Sequence, residues 1–397
     1  MTVPPVTDVD MFATSDQRTR YEQYRQLREL GPVVRLREPD AYAVTRYAEV
    51  KAALADHTSF ISGEGVGFNP ELNQMVRGTT LVSDPPEHDL LRSVVANGLK
   101  PRVIRGRGEE IAQKARSLVA DVVSRGEIDG VRELAEAVPM SVIPDFLGLP
   151  DRNRDHLYEW VKVGTDLLGP VTERTPGNME MSMRMLAFTH ELAKNGEVTP
   201  GTISAAMLEA ADQGVIPAKK CPLLFIDHIG PSLETTASAI GHLLVVFAER
   251  PDQWAALRVE PGLVASTINE LVRFESPFRG FARVAAHDTE LGGMAIPRGA
   301  RVWPLVASAN RDERKWERAD EFDFRRNPLD HLGFGYGTHT CAGQGVARVE
   351  LRGGLCDLRV RGPAGAGGQG GRRGCRCRRL PHGRVAGARG RVRRLGA

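Results

Sequence analysis

Phe334-Gly-Tyr-Gly337-Thr-His339-Thr-Cys341-Ala-Gly343 is the stretch on which the reading of this chain turns, and a helical pattern carrying Ala347 and Glu350 follows it. A cysteine in a loop that runs into a helix sits where backbone N–H groups point at the sulfur and favour its anion. A thiolate stabilised in this way is a ligand for iron. Glycines at 335, 337 and 343 allow tight turns and close approach of the backbone to a flat cofactor. Phe334 can cover the sulfur. An inert buried cysteine needs none of this spacing. A phosphate loop needs a GK[ST] ending and a preceding strand, and both are missing.

The spacing F-x-x-G-x-x-x-C-x-G resembles the haem-binding signature of the cytochrome P450 family, and the resemblance extends over roughly residues 18 to 352. It implies a mainly α fold with small β-sheets, in which haem lies between a long central helix and the cysteine-loop helix. Cys341 is then the proximal ligand of haem b, with Phe334, Gly335 and Gly343 around the cofactor. Glu270 and Arg273 match the family's E-x-x-R and lie on one helix face. Phe322-Asp323-Phe324-Arg325-Arg326 matches its later F-D-x-x-R, so Arg326 is expected to complete a buried, architectural Glu-Arg-Arg network.

Pro86-Glu87-His88-Asp-Leu-Leu-Arg92 resembles a segment of bacterial members in which the histidine and arginine hold haem propionates. His88 and Arg92 are one helix turn apart and face the same way. Arg283 and His339 match two further propionate positions, and such groups suit a dianionic cofactor. Glu234-Thr235-Thr236 matches the acid–alcohol element of the central helix. By resemblance Thr235 is the alcohol and Glu234 the acid that deliver protons when O2 is cleaved. The alternative is a pair of threonines bonding back to the preceding turn. Pro231-Ser232 replaces the family's small-Gly pair, and Pro231 is expected to interrupt the helix over 223–248.

The stretches GPVV, RYAEV, GVG, RFESP and SANRD resemble bacterial P450s that demethylate para-methoxybenzoate. Glu64 and Asp227 stand where those enzymes anchor the substrate carboxylate, and two acids repel a benzoate. A neutral, hydroxyl-bearing or amine-bearing small molecule is therefore expected. Phe281 and Ala282 match positions that shape the pocket. No flavin or iron–sulfur module is encoded, so electrons are expected from a ferredoxin served by an NAD(P)H-dependent reductase. Lys100, Arg102, Arg105 and Arg107 offer it a basic surface.

Outside these motifs, the sequence reads as a polar helix over 17–30, a strand pair in PVVRLR and AYAVTRY, and a long loop over 61–80. Helices then run to about residue 250, another covers 264–274, and strand signals follow in TELGG and ARVWPLVAS. No apolar run is long enough to span a membrane and no secretory leader is legible, so the cytoplasm is expected, and a monomer is expected besides.

Residues 353–397 hold 13 Gly and 12 Arg but one acid, a net +11. The whole chain is +3, which leaves the first 352 residues at −8 and argues against nucleic-acid binding by the body. Residues 1–352 therefore read as the P450 domain. Residues 353–397 read as a tail from a shifted frame, expected to be disordered or misplaced and to leave the pocket without its C-terminal wall. Two other readings stay open: a haem-binding relic that no longer turns over, and RNA binding through the Arg/Gly tail.

Overall fold

The structure is a computed structural model that describes residues 2–13, 16–125 and 129–361. Helices dominate it. Eight short strands lie among the described residues: β1 (Val6–Thr7), β2 (Val33–Leu36), β3 (Ala41–Val44), β4 (Phe60–Ile61), β5 (Arg283–Ala285), β6 (Thr289–Leu291), β7 (Met294–Ile296) and β8 (Arg301–Pro304). Six form one sheet in the order β1-β2-β3-β8-β5-β4, and β6 and β7 form a hairpin. The expected pair in PVVRLR and AYAVTRY is β2 and β3, antiparallel with Val33 opposite Val44. In β2 only Arg35 faces solvent, where it pairs with Asp40 at 3.1 Å. The ARVWPLVAS stretch is strand only to Pro304, and a helical turn, Val306–Ala309, follows.

The central helix, Cys221–Ala248, is continuous through Pro231. The expected interruption does not occur, because its two halves are anchored in different cores. Leu224, Phe225, Ile229 and Leu233 pack with Leu157, Trp160 and Phe188. Ala239, Ile240, Leu243 and Val246 pack with Leu271, Phe274 and Leu351. An interior proline costs about 3 kcal/mol, whereas each large aliphatic side chain buried contributes about 1.5–3 kcal/mol.

The stretch expected as one long loop, 61–80, contains a short helix, Pro70–Met75. Asn69 caps it by accepting from the Glu71 and Leu72 N–H groups, and Pro70 occupies its first turn. The signal for it in the sequence is Asn69-Pro70-Glu71, a capping residue followed by a first-turn proline.

The cysteine helix, Gln344–Arg361, lies along the helix Pro101–Arg125. Two glycines permit the approach: a Cβ on Gly345 would lie 2.7 Å from Ile104 Cδ1, and one on Gly353 would lie 3.3 Å from Ala112 Cα. Helix continues to Arg361, and Leu355 is buried with Ala115 and Val119. At Gly353 the missing side chain leaves room for Ala112 and Ala115 of the facing helix. The remainder of the tail, 362–397, lies outside the described residues.

Candidate functional site

A cavity of about 1360 Å³ lies between the central helix and the cysteine loop. Cys341, Phe334, Gly335, Gly343 and His339 line one side, and Glu234 and Thr235 line another. The loop is shaped by Gly335 and Gly337, whose φ angles of +72° and +70° are open to glycine without strain. A Cβ on Gly337 would also meet the Leu54 carbonyl at 2.6 Å. The Cys341 N–H donates to the Phe334 carbonyl at 2.8 Å, which closes the loop beneath the sulfur.

Burial raises the Cys341 thiol above its usual value, and the backbone N–H groups of Gly343 and Gln344, with Arg92 and Arg348, oppose that rise. The amides aimed at the sulfur are those expected from a loop entering a helix. A cation bound at the sulfur reverses the balance and deprotonates it.

Beside the cysteine, Arg92 donates to the Thr340 carbonyl at 2.5 Å, and Arg283 donates to the Ala282 carbonyl at 2.9 Å. Arg283 is buried, and burial lowers its pKa to about 10. Among the described residues neither arginine has a carboxylate within ion-pair distance. His339 stacks edge-on against His88, with ring centroids 4.4 Å apart. Burial, reinforced by Arg283, His88 and Arg92, lowers the His339 pKa to about 3. Nε2 of each histidine is buried without a hydrogen bond. Two arginines lacking an acid and two imidazole Nε2 atoms lacking a partner, with His88 Nδ1 on Asp89 at 2.9 Å, form a set suited to an anion. The position of Gly343 opens onto free space, where no atom would meet an added Cβ within 4 Å. This donor set fits a flat, dianionic haem. His88 itself does not line the cavity; His339 stands in front of it.

Behind the loop, Arg273 Nε and Nη2 bond the Glu270 carboxylate at 2.7 and 2.8 Å, with both side chains fully buried. Arg326 Nε reaches the same carboxylate at 3.1 Å. Arg273 also donates to the Asn310 carbonyl at 2.8 Å, and the Asn310 side chain accepts from the Leu332 N–H at 2.8 Å. The network thus grips the segment that enters the cysteine loop. Gly333 completes the contact, since a Cβ there would collide with Val272 at 2.4 Å.

On the central helix, Thr235 Oγ1 donates to the Pro231 carbonyl at 2.7 Å. This is the bond back to the preceding turn that the sequence left open. The Glu234 pKa is raised by burial, against Tyr158 and Lys162, which lower it, and its Oε2 has no hydrogen bond. Thr236, which also lines the cavity, donates to Glu350 of the cysteine helix at 3.5 Å. Burial raises the Glu350 pKa to about 8, which favours the protonated carboxyl, against the Thr236 bond that lowers it.

The expected substrate contacts divide. Phe281 lines the cavity and packs on Phe278 at 4.0 Å. Ala282 does not: it is fully buried, with its N–H on the Val66 carbonyl at 2.8 Å. Successive residues of an extended segment face opposite ways, so Phe281 and Arg283 share the cavity side and Ala282 lies behind. Glu64 also does not reach the cavity. It is exposed and pairs with Arg77 at 2.8 Å, turned outward ahead of Gly65 with φ +105°. Asp227 does line the cavity, but its carboxylate accepts the Thr80 N–H at 2.9 Å. Burial raises its pKa, against His228 and the Thr80 and Leu81 hydrogen bonds. The expected pair of repelling acids is therefore reduced to one, and that one is committed to a loop.

The family model that matches residues 225–358 is that of cytochrome P450. CYP199A2 of Rhodopseudomonas palustris is 36% identical over 350 residues, which cover 87% of this chain and 85% of the relative. The chain is a cytochrome P450. Linalool 8-monooxygenase of Pseudomonas putida is 30% identical over 88% of this P450 and 89% of its own length. The solved structure of CYP109Q5 from Chondromyces apiculatus is 27% identical, with a TM-score of 0.76 over 89% of this chain and 90% of that one. As a member of the family, the P450 is a haem enzyme that uses O2. No helix among the described residues is long and apolar enough to cross a membrane.

Proposed function

We propose that this P450 inserts one atom of O2 into a small or medium organic molecule, by hydroxylation or O-dealkylation, with electrons from a separate ferredoxin. The observation that carries this reading is one cavity bounded by Cys341 on one side and by Glu234 and Thr235 on the other. Haem, when bound, supplies the iron that activates O2. Cys341 Sγ would hold it, Arg92 and Arg283 would neutralise its carboxylates, and His339, backed by His88, would offer them a hydrogen bond. Thr235 has committed its hydroxyl proton to the Pro231 carbonyl, so Oγ1 presents lone pairs to the cavity and accepts a hydrogen bond there. Glu234, with its pKa raised by burial, holds a proton closer to neutral pH than an ordinary glutamate.

Lys100, Arg102 and Arg105 are exposed beside the cysteine helix, which supports ferredoxin docking on that face. Arg107 is less available, since it pairs with Glu110 at 3.3 Å.

The test is reconstitution with a surrogate ferredoxin and its reductase, using ligands first selected by their shift of the ferric haem spectrum. Substrate-dependent NADPH consumption with oxygenated product is the expected result. A wild type that binds ligands and never consumes NADPH supports the relic reading instead. Thr235→Ala is expected to keep haem and ligand binding but to lose product about 10²-fold or more, with reducing equivalents appearing as hydrogen peroxide. Unaltered coupling in this variant removes Thr235 from proton handling.

The Arg/Gly tail is read as the product of a shifted frame. Glycine (GGN) and most arginine (CGN) codons read from their second base become GNN, which specifies Val, Ala, Asp, Glu or Gly. Read from their third base they become NGG or NCG, which never specify Val, Leu, Ile or Phe. Only the second-base frame can therefore encode an apolar-patterned segment after the cysteine helix. Resequencing the gene is expected to show that open frame. A stop codon within it ends the proposal.

A further inference from the structure

The turn of the central helix that carries Asp227 and His228 faces the cavity, and the two side chains have unequal freedom. Asp227 is held by the loop above it, through the Thr80 N–H at 2.9 Å. His228 is fixed at one nitrogen only: Nδ1 lies 2.8 Å from the Leu224 carbonyl, four residues back. A carbonyl oxygen can only accept, so the proton of that bond belongs to Nδ1. In the neutral ring Nε2 is then a lone pair. No described residue donates to it, and it is not among the sealed polar atoms of the interior, so it opens onto the cavity.

We infer that His228 Nε2 is a specificity-determining acceptor, and that it selects substrates carrying a neutral hydroxyl donor, a phenol or an alcohol. The inference rests on the reading of this cavity as the substrate site. The ring is aimed before substrate arrives, because the bond to Leu224 fixes both its tautomer and its orientation. Preorganisation of this kind lowers the ordering cost of a polar contact. A site built to bond a hydroxyl discriminates against an analogue lacking one, because the acceptor is then buried without a partner. A carboxylate presents only acceptors to a lone pair and meets Asp227 next to it. An ether of the same shape fills the space and leaves Nε2 unbonded.

Holoenzyme titrated at pH 8 by calorimetry with 4-ethylphenol, 4-ethylanisole and 4-ethylbenzoate separates these cases. The wild type is expected to bind the phenol about fivefold to tenfold more tightly than the anisole, the range of one hydrogen bond, and the benzoate most weakly. His228→Leu is expected to level phenol and anisole by weakening the phenol alone. His228→Gln, whose amide oxygen accepts from a similar place, is expected to keep part of the preference. An equal loss for phenol and anisole in His228→Leu would make the residue a matter of shape and overturn the inference, as would tightest binding of the benzoate. The reduced, CO-bound spectrum of the wild type is recorded alongside. A thiolate band without phenol preference defeats this inference alone, whereas a missing band defeats the reading beneath it.

Discussion

Cys341→Ser is expected to abolish the red-shifted band of the reduced, CO-bound protein and all product formation, while the fold survives. The reason lies in how little the loop itself asks of the sulfur. Cys341 is tied to Phe334 through its backbone N–H, and that bond is untouched by the side chain. A hydroxyl is close in size to a thiol, so the loop and the cysteine helix keep their packing. What is lost is the soft anionic ligand. The amides of Gly343 and Gln344 stabilise a thiolate, and a serine hydroxyl, being far less acidic, remains neutral in the same place. Absorption of the reduced, CO-bound variant decides the matter. A band of unchanged position and intensity would remove Cys341 from the iron.

Arg273→Ala is expected to destabilise the protein by about 3–5 kcal/mol, the range for removing one partner of a buried ion pair. Glu270 and Arg273 are both fully buried. The variant leaves the Glu270 carboxylate with Arg326 and the Asp323 N–H at 3.0 Å. It also strips the Asn310, Ala319 and Glu321 carbonyls of their donor. Since Asn310 in turn holds the Leu332 N–H, loosening is expected to reach the cysteine loop and to lower haem content in the purified protein. Denaturant unfolding and the haem-to-protein absorbance ratio measure both effects. Arg318→Ala removes an exposed pair with Glu321 at 3.2 Å. It is expected to stay within about 0.5 kcal/mol of the wild type. Equal stability of the two variants would mean that the buried network is not architectural.

The features legible in the sequence are those whose chemistry depends on short spacing. Cys341 and its glycines lie within one loop, and Glu270 and Arg273 lie three apart on one helix, so their mutual geometry follows from local conformation. Arg326 was reachable because a second local pattern, Phe322 to Arg326, pointed to it. The substrate contacts were not legible in this way. Glu64 and Ala282 were assigned by position, yet a turn at Gly65 and the alternation of an extended segment carry both away from the cavity. His228 carried no motif at all. Its role depends on which face of a helix meets empty space, and on a carbonyl four residues back that claims one of its two nitrogens.

The sequence by itself determined the family, the cysteine loop, the arginines and histidines that gather beside it and the buried Glu-Arg-Arg pattern. The tertiary structure alone decided that Pro231 leaves the central helix unbroken, since its halves are anchored in separate cores. It alone decided that Thr235 bonds backward to Pro231, that Asp227 serves a loop, and that helix persists beyond Gly353. All but the Thr235 bond, which spans one helix turn, depend on contacts between residues distant along the chain, and such contacts are not fixed by neighbours in sequence.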